Sequence, residues 1–256
     1  MSYLWFSLLD IIYKFFCGKE SYCLNMKLSY EINKDLDKEM AINFLGYSAG
    51  GIDFSKAVIG PHPDLNGIDK YTIDKQKEII DQYFDKFYNE HAEEILKKKD
   101  QFNQKWNEVE NQFFDAVSKL FNNKIEIADK YTGYLSIVNC NPRFVEDSAF
   151  QIFWQNKKGS IYVTCHELLH FVFFDYVKRF HFETLGKLST DEGLLWEISE
   201  IFNDIILILP EFSKIHGQNT LDHYPVLEKH IDAAGALWKE SADIDIWLRG
   251  MTKYLR

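Results

Sequence analysis

From residue 72 to residue 121 the chain contains neither glycine nor proline, and its apolar positions recur at intervals of three and four. Ile80, Phe84, Phe87, His91 and Ile95 form one such stripe. Phe102, Trp106, Val109, Phe113, Val117 and Leu120 form another. That spacing puts side chains on one face of a helix. The pattern predicts one very long helix or two antiparallel ones, with the stripes turned to a core. His91 is expected to be a core histidine with satisfied ring nitrogens.

Elsewhere the pattern changes period. Residues 27–32 alternate enough for a short strand, and Asn33 and Asp35 then start a helix that runs to about Leu45. Residues 46–67 hold a concentration of glycine and proline and predict a loop-rich stretch. Strands are expected at 124–127 and 134–139, joined around Thr132-Gly133, and a third at 149–154. After a turn at 156–159, Ser160 caps a helix that reaches about Arg179. Ser189 to Glu192 fits a capping box, predicting a second helix from Ser189 to about Ile208, stopped by Pro210. Residues 225–254 read as two further helices around Glu240-Ser241. The expected fold is α+β and predominantly helical, and no internal repeat is present.

Composition narrows the class. Hydrophobic residues make up 46% and aromatics 16%, enough to bury a large core and exclude a disordered chain. The net charge of −10 argues against a nucleic-acid partner. The cationic run Lys97 to Lys99 is followed by Asp100 and reads as a solvated helix face. Cys17, Cys23, Cys140 and Cys165 include no CxxC pair, so free thiols in a reducing, cytoplasmic setting are expected. Cys17 and Cys23 could pair, but nothing requires it.

The apolar run from Tyr3 to Phe16 is too short for a bilayer span, which needs ~20 residues. It has no basic leader and no small-residue cleavage site after it. It is expected to be a helix packed on the body, with contact to a membrane surface as the alternative. Met26 is a second possible start. Residues 1–25 are thus read as a helical extension and 26–256 as the body. Within the body, 26–123 is helix-rich and 124–256 carries the chemistry. A separate helical N-terminal domain is the alternative.

The chemistry lies at His166-Glu167-Leu168-Leu169-His170, an HExxH sequence on a predicted helix. Residues i and i+4 share a helical face, so both imidazoles can reach one metal, while the glutamate can take a proton from an activated water. The flanks, Tyr162, Val163, Phe171, Val172, Phe173 and Phe174, are apolar, so the helix is expected to be buried. Polar groups buried there need partners, and a metal supplies one.

A catalytic zinc takes a third protein ligand. The pattern HExxHxxGxxH fails, because Phe173 and Tyr176 stand at the glycine and third histidine. The next helix offers Glu200 and Asp204 at i and i+4 among apolar residues. Glu200 is the favoured third ligand, with Glu197 the alternative. Asp204 would orient a histidine ligand through its second ring nitrogen.

With these residues the chain resembles the gluzincin class of metallopeptidases, of which thermolysin is the familiar example. The resemblance covers about residues 134–204. It implies a zincin-like fold with a small sheet beside the HExxH helix, and residues 149–154 as the edge strand along which a peptide lies. It implies Zn²⁺ held by His166, His170 and Glu200, with Glu167 as general base for peptide-bond hydrolysis. An oxyanion-stabilising residue is also implied, and His223-Tyr224 is the best-placed pair. Tyr176, His181 and Arg143 are further candidates, Arg143 for a substrate carboxylate. The sequence does not distinguish zinc from manganese or cobalt. Three readings follow: a zinc peptidase acting on a peptide or protein, a zinc-stabilised binding or regulatory protein that turns nothing over, and a membrane-surface protein anchored through residues 3–16.

Overall fold

The computed structural model describes residues 27–220 and 223–256. The readings of residues 3–16, Cys17, Cys23 and Met26 lie outside the described residues. The described chain is predominantly helical with a small sheet.

Strand β1 (Leu28–Ile32) leads directly into helix α1 (Lys34–Phe44). Asn33 caps α1, its side chain accepting the Leu36 N–H at 3.1 Å. The glycine-rich stretch forms a hairpin of β2 (Ser48–Ala49) and β3 (Ile52–Asp53), then short helix α2 (Ser55–Ile59) and two 3₁₀ turns.

The long helical pattern resolves into three helices: α3 (Ile73–Glu90), α4 (Ala92–Asn107) and α5 (Glu110–Leu120). The first break is at His91, whose backbone leaves helical geometry at φ −110° and ψ 15°. The expectation that His91 lies in the core is wrong. Its side chain is 39% exposed, with Nδ1 3.3 Å from Glu94. The second break is at Val109. It lets the Glu110 carboxylate accept the Trp106 indole N–H at 2.9 Å and the N–H groups of Lys27 and Leu28 at 3.0 Å. Helix α5 is thereby fastened to the start of β1, a partner far away in sequence.

Three more strands complete the sheet: β4 (Tyr131–Ser136), β5 (Arg143–Phe144) and β6 (Ala149–Phe153), in the order β1-β4-β6-β5. The first three run parallel and β5 is antiparallel to β6. Gly133 lies within β4 rather than in a turn. A Cβ there would stand 2.7 Å from the Tyr30 ring, so the tyrosine needs the glycine to cross the sheet. Residues 124–127 are not a strand. The Lys124 carbonyl instead accepts a hydrogen bond from Arg179 at 2.8 Å.

Nor is β6 an open edge. Phe150 and Ala149 pair with Arg143 and Phe144. Further along, the Gln151 N–H reaches the Pro142 carbonyl at 2.9 Å and the Phe153 N–H reaches Asn141 Oδ1 at 3.2 Å. Residues 141–144 thus cover the side on which a substrate strand was expected. On the opposite margin, Asn103 of α4 accepts the Tyr30 N–H at 2.9 Å and donates to the Tyr30 carbonyl at 3.3 Å.

Asp37 of α1 ties the layers together. Its buried carboxylate accepts from the Tyr88 hydroxyl at 2.6 Å, the Gln151 amide at 2.6 Å and the Ile137 N–H at 2.8 Å. Burial raises its pKa to about 6, against the pull of these hydrogen bonds.

The second half holds α6 (Ser160–Phe180), α7 (Gly193–Leu207), α8 (Pro210–His216), α9 (Ile231–Ser241) and α10 (Ile244–Leu255). Helix α6 is buried on nearly every side, as its apolar flanks imply. Thr164 bonds to Tyr30 of β1, while Phe173 packs on Phe202 of α7 with ring centroids 5.0 Å apart. Helix α7 does not begin with the predicted capping box. Ser189 Oγ accepts the Asp191 N–H in a local turn, and the helix starts only at Gly193, whose φ is +70°. Few residues but glycine adopt that angle, so residues 189–192 stay outside the helix. One apolar cluster runs from Leu28 to Met251 and draws on both halves. Among the described residues no helix is long and apolar enough to cross a membrane. Cys140 and Cys165 are free thiols.

Candidate metal centre

His166 and His170 sit one turn apart on the face of α6 that meets α7, and Glu200 approaches from α7. The two Nε2 atoms are 3.1 Å apart. Glu200 Oε2 is 3.5 Å from His166 Nε2, and Oε1 is 3.4 Å from His170 Nε2. Donors about 2.0–2.2 Å from one tetrahedral zinc stand roughly 3.3–3.6 Å from one another. The two imidazoles are close to that spacing, each faces a different oxygen of Glu200 at a similar distance, and one donor atom from each residue lies within 4.8 Å of the others. The donor set of two imidazoles and a carboxylate suits zinc. Glu197, the alternative third ligand, does not join the cluster.

The protonation states of His170 and Glu200 favour ligation. Burial, with Arg143 adding to it, pushes His170 down to about 3, so its ring is neutral. Burial alone would raise the Glu200 carboxyl, but the Arg143 charge and hydrogen bonds to His166 and His170 outweigh it and hold the group well below the usual carboxylate range. His166 is raised despite its burial, through its hydrogen bond to Glu200 and the charge of Glu167. Glu167 is raised above the ordinary glutamate value by burial, with His166 and Arg143 opposing.

Arg143 enters this pocket from β5. Its guanidinium is 3.4 Å from Glu167 Oε2 and 3.1 Å from Glu200 Oε1. Burial works against its charge, while Glu200 and Glu167 hold it above the usual arginine value. Phe174 stacks on His170 at 5.7 Å and on the guanidinium at the same distance. Sequence reasoning named Arg143 only for a substrate carboxylate and missed Phe174. A two-residue strand has too few positions to show a period, so nothing in the pattern aims Arg143 at the HExxH helix.

Asp204 is not bonded to either imidazole ligand. Its Oδ2 is 2.7 Å from His223 Nδ1. The Nδ1 atoms of His166 and His170 are buried with no hydrogen-bond partner among the described residues. Asn203, which sequence reasoning also missed, donates to the His166 carbonyl at 2.8 Å and so locks α7 to α6 beside the site. Its signal was an amide between Glu200 and Asp204 on an otherwise apolar helix. Tyr224 packs on Trp196 at 5.1 Å and against Gly50 of the β2–β3 turn. Burial raises its hydroxyl pKa, and the Glu200 charge adds to the effect. Tyr176 and His181 converge elsewhere, on Asp245 of α10, at 2.8 and 2.9 Å.

No family model matches the chain, and no curated protein or solved structure is similar to it. What the site can do therefore follows from its own geometry and chemistry.

Proposed function

We propose that the protein is a zinc-dependent peptidase with a zincin-like fold of the gluzincin type. The observation that carries this reading is the triangle of His166, His170 and Glu200, with the Glu167 carboxylate buried beside it. Three protein donors suit a catalytic ion, whereas a structural zinc takes four. His166, His170 and Glu200 would hold zinc, which when bound polarises a carbonyl and lowers the pKa of water.

The remaining work falls to the chain. Glu167 accepts a proton from the attacking water and hands it to the departing amine nitrogen. Its raised pKa suits a group that must both take and give a proton. His223, its Nδ1–H donated to Asp204, would offer Nε2–H to the carbonyl oxygen from its doubly protonated ring as negative charge develops there.

A second reading is a zinc-stabilised protein that binds a partner without turnover. Its support is the cover over the site. Residues 141–144 occupy the outer side of β6, and Glu167, His170 and Glu200 are all buried. Zinc content and cleavage of a peptide library, in the wild type and Glu167→Gln, separate the two. One zinc in both, with cleavage only by the wild type, supports the peptidase. One zinc without any cleavage supports the binding protein. No zinc after loading removes both.

A further inference from the structure

The two carboxylates of the centre have different tasks, yet they share one buried pocket and one cation. Arg143 Nη1 faces Glu167 Oε2 at 3.4 Å, and Nη2 faces Glu200 Oε1 at 3.1 Å. We propose that Arg143 is a positioning residue that keeps these carboxylates in separate roles, Glu200 as metal ligand and Glu167 as base. The proposal rests on the zinc-peptidase reading of the same site.

Like charges in a shared buried site disfavour ionisation of both. Without a cation, one carboxyl would hold a proton, or both would turn toward the same ion. A guanidinium resolves the conflict because it is planar, with its two Nη groups at a fixed spacing. Each Nη takes one carboxylate. Glu200 Oε1 is also 3.4 Å from His170 Nε2, so the arginine contact fixes which way that carboxylate faces. A lysine ammonium is a single point charge and cannot hold both groups at a set separation.

The fold holds Arg143 in place. Its side chain is 11% exposed, lying under the Phe174 ring. Its backbone pairs with Phe150 of β6. Pro142 and Asn141, just before it, take the N–H groups of Gln151 and Phe153. The short strand that covers β6 is also the mount that delivers this side chain.

The test compares wild type with Arg143→Lys, Arg143→Gln and Arg143→Ala. Zinc affinity is read by competition with a chromophoric chelator, folding by circular dichroism, and kcat and KM on a peptide that the wild type cleaves. Partners that orient metal ligands are worth about 10–100-fold in affinity. Arg143→Gln and Arg143→Ala are expected to lose zinc affinity in that range, to lose kcat more than KM, and to keep the wild-type dichroism. Arg143→Lys recovers only part. Millimolar guanidinium added to Arg143→Ala restores zinc affinity in part, and has no such effect on His170→Ala.

Equal or tighter zinc binding in Arg143→Gln overturns the proposal, since the arginine is then only a counter-charge that competes with the ion. Lost affinity without guanidinium rescue overturns it as well, assigning the loss to the strand. If Arg143→Ala and Arg143→Gln do not fold, Arg143→Lys decides, and full zinc affinity there overturns it. Failure of the wild type to bind zinc removes the peptidase reading and this proposal together. Zinc binding without peptide cleavage removes the peptidase reading and the separate roles that depend on it.

Discussion

His223 and Asp204 form a pair, with Nδ1 2.7 Å from Oδ2. Asp204 therefore serves the residue expected to meet the substrate oxygen, not the imidazoles expected to meet the metal. His223→Gln is expected to lower kcat about 10²–10³-fold, the usual cost of one oxyanion donor, with KM little changed. Asp204→Asn should lower kcat in the same direction, and the double variant should be no worse than His223→Gln. Zinc content stays at the wild-type level throughout. Steady-state kinetics and metal analysis check this, and loss of zinc in Asp204→Asn would return the aspartate to the metal site.

Zinc should also stabilise the fold. A ligand bound only by the native state adds about 2.7 kcal/mol at one hundred times its Kd. Chelation is expected to lower the calorimetric Tm reversibly, and zinc to restore it. His170→Ala should show the same Tm with and without zinc.

Asp37→Ala removes one acceptor from three donors at once, the Tyr88 hydroxyl, the Ile137 N–H and the Gln151 amide. A buried donor left unpaired costs about 1–3 kcal/mol. The expected loss is about 3–5 kcal/mol, because neighbouring costs are not additive. A lower urea midpoint with an unchanged m-value checks it.

His62 sets one part of the acid response. Its buried ring has Nε2 2.9 Å from the Ile137 carbonyl and Nδ1 3.2 Å from the Tyr83 hydroxyl. A neutral ring protonated at Nε2 donates to the first and accepts from the second. Burial lowers its pKa below the usual histidine value, despite the Ile137 hydrogen bond. The unfolded chain thus takes up a proton before the folded chain does. The contribution is complete above the unfolded value of about 6.5 and is lost as pH falls through the lower folded value. The Tm of His62→Gln should fall less steeply than that of the wild type between pH 7 and pH 5.

The parts of the site legible in the sequence are those built on helical spacing. His166 and His170 share a face because they are four residues apart, and the apolar flanks announce that α6 is buried. Glu200 stands out for a related reason, as a carboxylate on an apolar helix. The rest depends on contacts that no local pattern encodes. Val109 breaks a helix because Glu110 answers to Lys27 and Leu28. Gly193 delays α7 through its backbone angle, overriding a capping sequence that in isolation would start the helix. Arg143 meets Glu167 and Glu200 only because β5 folds back on β6.

The same economy governs the rims of the sheet. At Tyr30 an asparagine side chain from α4 imitates the backbone of a missing neighbour, giving and receiving as a strand would. At Phe153 another, Asn141, does half of that task. Exposed strand margins are templates on which other chains add and aggregates grow. Here two amide side chains occupy those positions, so crowded copies of the protein find no ladder at Tyr30 or Phe153 to extend.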